Sequence, residues 1–289
     1  MSGTVSAASP RTNSRRLRRN LKALPFIIIM ALFVLAAIFA PLIAPYDPNT
    51  QNLLGRLKVP GTAARNVFYA LGSDELGRDL LSRLIYGARV SLFVAFSSVI
   101  LSGFVGTALG MIAGYARGVV ETVIMRLTDI FLSIPAILLA IITVAVLGPG
   151  LVNVVIVLAL TRWPRYARVA YGQTLSVANM PYVRLSRFMG AGTLHVLMRH
   201  VLPNIMGALI VVATLEFGLM VLFEAGLSFL GLGVQPPTAS WGAMLSVGRN
   251  YVATAWWIAT FPGICLFLLV LSVNMLGDQL RDRFDPKMR

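Results

Sequence analysis

Few residues in this chain are equipped for chemistry. Its two histidines, His195 and His200, stand five apart, and on a helix that spacing gives a poor two-ligand face for a metal. Glu216 and Glu224 lie within an apolar run, about 80° apart around a helix. Carboxylates at membrane depth are costly and face a bundle interior or an aqueous cavity. They are either a translocation path or gate, or a structural pair bonded to a neighbouring helix. Asp129 reads as an interfacial charge and Asn274 as an interhelical hydrogen bond. A phosphate-binding loop needs a Gly-Lys pair, but Lys22, Lys58 and Lys287 follow Leu21, Leu57 and Pro286. HExxH and GxSxG are both absent. No catalytic residue, no metal and no cofactor is expected in the chain.

A basic segment, "YVRLSRFMGAGTLHVLMRHVLPNI", Tyr182 to Ile205, interrupts the apolar runs and carries Arg184, Arg187, His195, Arg199 and His200. Tyr182, Leu185 and Met189 form one helical stripe. Leu194, Leu197, Met198, Val201 and Ile205 form another. Gly190 and Gly192 permit a sharp turn between the halves. Pro203 marks a boundary before the next apolar run. Such an amphipathic pair lies on lipid headgroups or docks into another protein's groove; periodicity does not choose.

These residues are held among long apolar runs. The chain has 289 residues, 57% of them hydrophobic and 12% charged, about half the charged fraction of a soluble domain. Its net charge of +14 is spread between apolar runs, which fits a topology signal and not nucleic-acid binding. The pattern predicts an all-α integral membrane protein with six transmembrane helices, near 24–44, 90–114, 124–147, 151–171, 205–226 and 252–276. The first follows a basic tail but is long for a signal peptide and has prolines where cleavage would need small residues, so it reads as a retained span. The fourth ends among Arg162, Pro164, Arg165 and Arg168. Eighteen of 25 Lys and Arg residues fall on one side of this topology. Positive-inside then puts both termini (N-in/C-in) and the 172–203 loop in the cytoplasm, with 45–89 and 227–251 outside. The outer loop 227–251 is either a gate or binding-protein contact, or an interfacial loop anchored by Trp241. Gly103, Gly106, Gly110 and Gly114 form a stripe for close helix approach. Cys265 is the single cysteine and reads as a small buried hydrophobe.

The insert resembles the cytoplasmic signature E-A-A-x3-G-x9-I-x-L-P of permeases of ATP-binding-cassette (ABC) importers. With its glycine at Gly190, the Leu-Pro falls on Leu202 and Pro203. Its E-A-A falls on Arg184, Leu185 and Ser186, a departure at all three positions. "RHVLPN" (199–204) is similar to the dipeptide/oligopeptide/nickel branch. So are "FAPLIAPYDP" (39–48), "LGSDELGRDLLSRLIYGARVSL" (71–92), "LSFLGLGVQPPTASWGAML" (227–245) and "GDQLRDRFDPK" (277–287). On these stretches the chain is identified as the second, "C-type" permease subunit of that branch.

The resemblance implies a type I ABC importer permease fold. It divides the chain into a basic cytoplasmic tail (1–22), a first helix with outward loop (23–89), a transmembrane core (90–276) holding a coupling segment (182–204), and a C-terminal tail (277–289). The expected partners are a homologous second permease subunit, two cytoplasmic ATPases that bind ATP and Mg, an extracytoplasmic substrate-binding protein and the lipid bilayer, in a bacterial cytoplasmic (inner) membrane. Arg184, Gly190, Leu194, Leu197, Met198, Leu202 and Pro203 are expected to couple to an ATPase. Glu216 and Glu224 are expected on the path or gate. The expected solutes are di- or oligopeptides, with nickel chelates, glutathione or another small solute as alternatives. A different class of function is an ATP-independent channel or a proton-coupled carrier using the two glutamates as a relay. A third is a non-transporting scaffold whose insert recruits a soluble protein.

Overall fold

The computed structural model describes residues 11–284, with side chains from 24 to 282. The basic side chains of the 1–22 tail, and those of Arg283, Lys287 and Arg289, lie outside that range. In hydrocarbon every backbone polar group must be satisfied within its own segment, and the apolar runs fold accordingly as helices. α1 is Arg11–Ile38 and α2 is Ala40–Ile43, with Pro41 in its first turn. The following segment holds a hairpin, β1 Thr62–Ala64 against β2 Val67–Tyr69. Its loop residues Arg65 and Asn66 both take positive φ, the mirror-image turn that matches strand twist.

α3, Leu80–Ala116, begins ten residues before the expected 90, where the Asp79 carboxylate caps it by accepting from the Ser82 N–H at 2.8 Å. The expected span 124–147 is not one rod. α4 (Gly118–Ser133) and α5 (Ala136–Leu147) meet at a 94° bend. Pro135 lacks a donor and holds Ile134 extended (φ −92, ψ 129).

α6 runs unbroken from Leu151 to Ala178 with Pro164 inside it. The three arginines among which the fourth span was expected to end therefore lie in the helix interior. α7 is Pro181–Phe188, and α8, Thr193–Val196, continues through a π-helical turn (Leu197–Val201) into α9, Leu202–Phe229. The expected boundary at Pro203 does not exist: Thr193–Phe229 is one 37-residue helical rod. The π turn accommodates the proline. Leu202 N–H reaches back five residues to the Leu197 carbonyl, and the Asn204 amide donates to His200 O at 2.6 Å. α10 (Trp241–Gly248) and α11 (Trp257–Phe284) complete the described residues; the last span starts at 257, not 252. Among the described residues three helices are long and apolar enough to cross a membrane, or four if the bent pair is one span.

α3 and α6 run side by side. The glycine stripe makes this possible: a Cβ on Gly106 would strike the Trp163 carbonyl, and one on Gly114 would lie 2.9 Å from Thr174 Cβ. One apolar core gathers α1, α3, α6, α9, α10 and α11. A second, built on Tyr166, Val177, Val183, Val196, Leu197, Val201 and Ile205, holds the 181–205 segment against α6.

Candidate functional site

α7 ends in a Schellman turn. Ala191 N–H reaches Ser186 O at 3.1 Å and Gly190 N–H reaches Arg187 O at 2.9 Å. Gly190 sits at φ +88 in the left-handed region, and a Cβ there would meet nothing within 4 Å. The glycine is therefore required by backbone conformation, not by space. The turn is braced from behind. Arg187 stacks on the Tyr115 ring at 4.9 Å. His200 packs edge-on against Tyr182 and His195 and lies 3.1 Å from Ser186 Oγ. Both histidines thus serve packing between α7 and the π turn.

The two halves do not present one joint stripe. Val196, Leu197, Val201 and Ile205 are buried, and Leu197 is only 7% exposed. Its expected place on a docking surface is corrected: it is a core residue, because the turn rotates that side of the helix onto α6. Leu194 and Met198 do face out, with Tyr182 and Leu185. Within residues 181–205 the most exposed apolar groups are Phe188 (88%) and Met189 (81%) at the apex. Phe188 was missed, although its spacing of three from Leu185 signals the same face. Leu202 is half-buried and Pro203 exposed. Arg184 donates from Nη2 to Asn179 Oδ1 at 3.1 Å, pointing back to the end of α6.

The two glutamates of α9 are both buried and do different things. Glu216 faces α6, with Arg162 Nη1 and Arg165 Nε each 3.6 Å from one of its oxygens. The Arg162 guanidinium also lies 4.2 Å over the Phe223 ring. Glu224 accepts from Ser91 Oγ of α3 at 2.9 Å and from Ser228 Oγ at 2.8 Å. They are not a pair: α9 is tied to α6 through one and to α3 through the other. Nearby, Arg168 of α6 bonds Asp129 of α4, and Tyr171 donates to Glu121. Asn274 of α11 lies against Gly218 of α9, where a Cβ would be 2.8 Å from its Oδ1.

At the opposite end, several buried polar groups are paired within the chain, although Glu75 Oε2 is buried without a partner. Asp74 accepts from the Leu76 and Arg78 N–H groups, both at 2.9 Å, and from Arg78 Nε at 2.6 Å. Arg83 reaches Asp74 at 3.4 Å and Pro48 O at 3.1 Å. Tyr69 donates to Gly77 O at 3.1 Å, and burial pushes its phenol pKa up. Trp241 is fully buried and donates to Leu84 O at 2.9 Å, so it is an internal tie and not a lipid anchor. Trp257 donates to Ser73 O at 3.1 Å. The motifs 71–92 and 227–245 thus lock to each other and to the start of α11.

Residues 106–289 match the family described as "Binding-protein-dependent transport system inner membrane component", and residues 11–60 match "N-terminal TM domain of oligopeptide transport permease C". The di/tripeptide transport system permease protein DppC of Pseudomonas aeruginosa is 48% identical, over 93% of this chain and 89% of that protein. The dipeptide transport system permease protein DppC of Haemophilus influenzae is 41% identical over the full length of both. Among solved structures, a chain of the inward-facing MetNI methionine ABC transporter shares the fold. It has a TM-score of 0.55 and 21% identity, covering 70% of this chain and 97% of that one.

Proposed function

The chain belongs to the family of binding-protein-dependent transport system inner membrane components, and from that premise we propose that it is one permease subunit of an ATP-driven importer of di- or oligopeptides. Relatives at 48% and 41% identity are named for di/tripeptide and dipeptide transport, against 39% for a glutathione permease, which favours that substrate class over nickel chelates or glutathione. It spans the membrane six times with both termini in the cytoplasm and pairs with a homologous permease subunit. Two cytoplasmic ATPases supply the ATP and Mg chemistry, and an extracytoplasmic binding protein delivers the solute. The chain itself is not an enzyme.

The observation that carries the reading is the apolar apex at Phe188 and Met189, held on a glycine-dependent turn and joined without a break to α9. Apolar groups so exposed on a helix turn suit a cleft in another protein. Residues 182–204 are then the coupling segment. Gly190 sets the turn, and Leu194 and Met198 extend the docking face. Leu197 anchors the segment from inside. Leu202 and Pro203 sit where the π turn hands motion to α9. Arg184, in place of the family's acidic residue, meets a complementary acid on the ATPase.

Closure of the ATPases displaces the apex, and the 37-residue rod carries the displacement about 55 Å. The Glu216 tie drags α6 and the Glu224 tie drags α3, so the core moves as packed bodies. The two glutamates act as mechanical links beside the path. The test is reconstitution of the chain with its three kinds of partner in proteoliposomes. Uptake of alanyl-alanine should require ATP, the ATPases, the second permease and the binding protein. Uptake by this chain alone without ATP would overturn the reading and favour a carrier.

A further inference from the structure

The interior arginines of α6 carry an assignment beyond coupling, one that rests on the peptide reading above. Depth comes first. Gly106 of α3 is level with Trp163 and Gly110 with Ala167, so Arg165 lies level with α3 residues 106–110. On α3 that stretch falls between the exposed apolar residues Phe104 and Ile112, inside the span that the sequence pattern sets at 90–114. Yet the Arg165 side chain is 59% exposed. A charge exposed at membrane depth faces an aqueous cavity or a neighbouring subunit, not lipid.

Charge balance comes second. Arg162 and Arg165 flank the single carboxylate of Glu216, which leaves one positive charge in excess, while Arg168 is matched by Asp129. Among the described residues Arg165 donates no hydrogen bond. Behind it Arg162 Nε and Glu216 Oε2 are buried without a hydrogen-bond partner. Arg162 and Glu216 are themselves more than nine-tenths buried, so the cluster is rigid and incompletely satisfied. Third, the same face of α6 continues through Gly172 and Ser176, which are exposed and small. They form a lane leading away from the arginine.

We propose that Arg165, held from behind by Glu216 and Arg162, lines the translocation path and binds the C-terminal carboxylate of the peptide in transit. A guanidinium offers a planar donor fork that suits a carboxylate, and the excess charge is of the right sign. Arg162 and Glu216 are positioning residues for it.

The test uses the assembled complex in proteoliposomes with Cys265→Ser and a reporter, Gly172→Cys; a Cβ at that position meets nothing within 4 Å. An anionic thiosulfonate should label the reporter faster than its cationic counterpart. Millimolar alanyl-alanine should slow the anionic reagent, and alanyl-alanine amide should not. Adding Arg165→Gln should remove the charge preference and raise the half-protecting dipeptide concentration about tenfold. Arg165→Lys should restore much of the preference. An unreactive reporter, meaning a face covered by lipid or by the second permease subunit, would overturn the assignment. So would equal protection by dipeptide and amide, or a charge preference unmoved by Arg165→Gln. Alanyl-alanine uptake by the unaltered complex is measured alongside. Failure there sinks the peptide reading, while the charge preference at Gly172→Cys still reports the anion site.

Discussion

The two ends of this molecule solve opposite problems. At the end formed by residues 45–89 and 227–258, polar groups find partners inside the chain: Asp74 with Arg78 and Arg83, Trp241 with Leu84, Trp257 with Ser73. At the end formed by residues 181–205, the apolar groups Phe188, Met189, Leu194 and Met198 have none. Sequence motifs of similar length therefore mean different things. The first set specifies polar ties made within this chain, although Leu53, Leu54, Val59 and Phe68 are exposed there too. The second specifies a surface finished by another protein, held in shape by a buried inner face.

That contrast gives an ordered set of outcomes. Asp74→Ala removes the acceptor of two buried arginines, and breaking a buried pair costs about 3–5 kcal/mol. The variant should fail to accumulate in membranes, as measured by immunoblot, with the thermal transition of any purified protein lowered. Leu197→Ala opens the second core at a cost of about 2–5 kcal/mol, and should lower the transition as a core change does. Its neighbour Met198→Ala should not. Gly190→Leu forces a branched side chain into a left-handed conformation at about 1–2 kcal/mol; the fold survives and the turn is altered. Phe188→Ala should leave stability within about 0.5 kcal/mol, yet sharply reduce co-purification of the ATPase. A destabilised Phe188→Ala, or a neutral Asp74→Ala, would erase the distinction between the two ends.

How much of this was legible in sequence follows the same division. The apolar runs and the glycine turn announced themselves through composition and spacing, as did the stripe of Gly106, Gly110 and Gly114, because each depends on local rules. The break at Pro135 did not, since apolar residues on both sides read as one span. In sequence Arg162, Arg165 and Arg168 read as a helix end, because charge and proline usually mark one. The carboxylates that pair with those arginines come from α4 and α9, far away in sequence. Leu197 shares a stripe with Leu194 and Met198 on a helical wheel, and what separates them is the packing of that rod on α6. Glu216 and Glu224 looked like a pair because spacing along one helix says nothing of which neighbour each one meets.

The central claim is that the 182–204 turn transmits ATP hydrolysis to the spans, and Gly190→Leu tests it most directly. ATP hydrolysis and alanyl-alanine uptake are measured on the same proteoliposomes, with the variant complex matched in amount to the unaltered one. The expected result is continued hydrolysis with uptake lost. Uptake per ATP equal to that of the unaltered complex would contradict the claim.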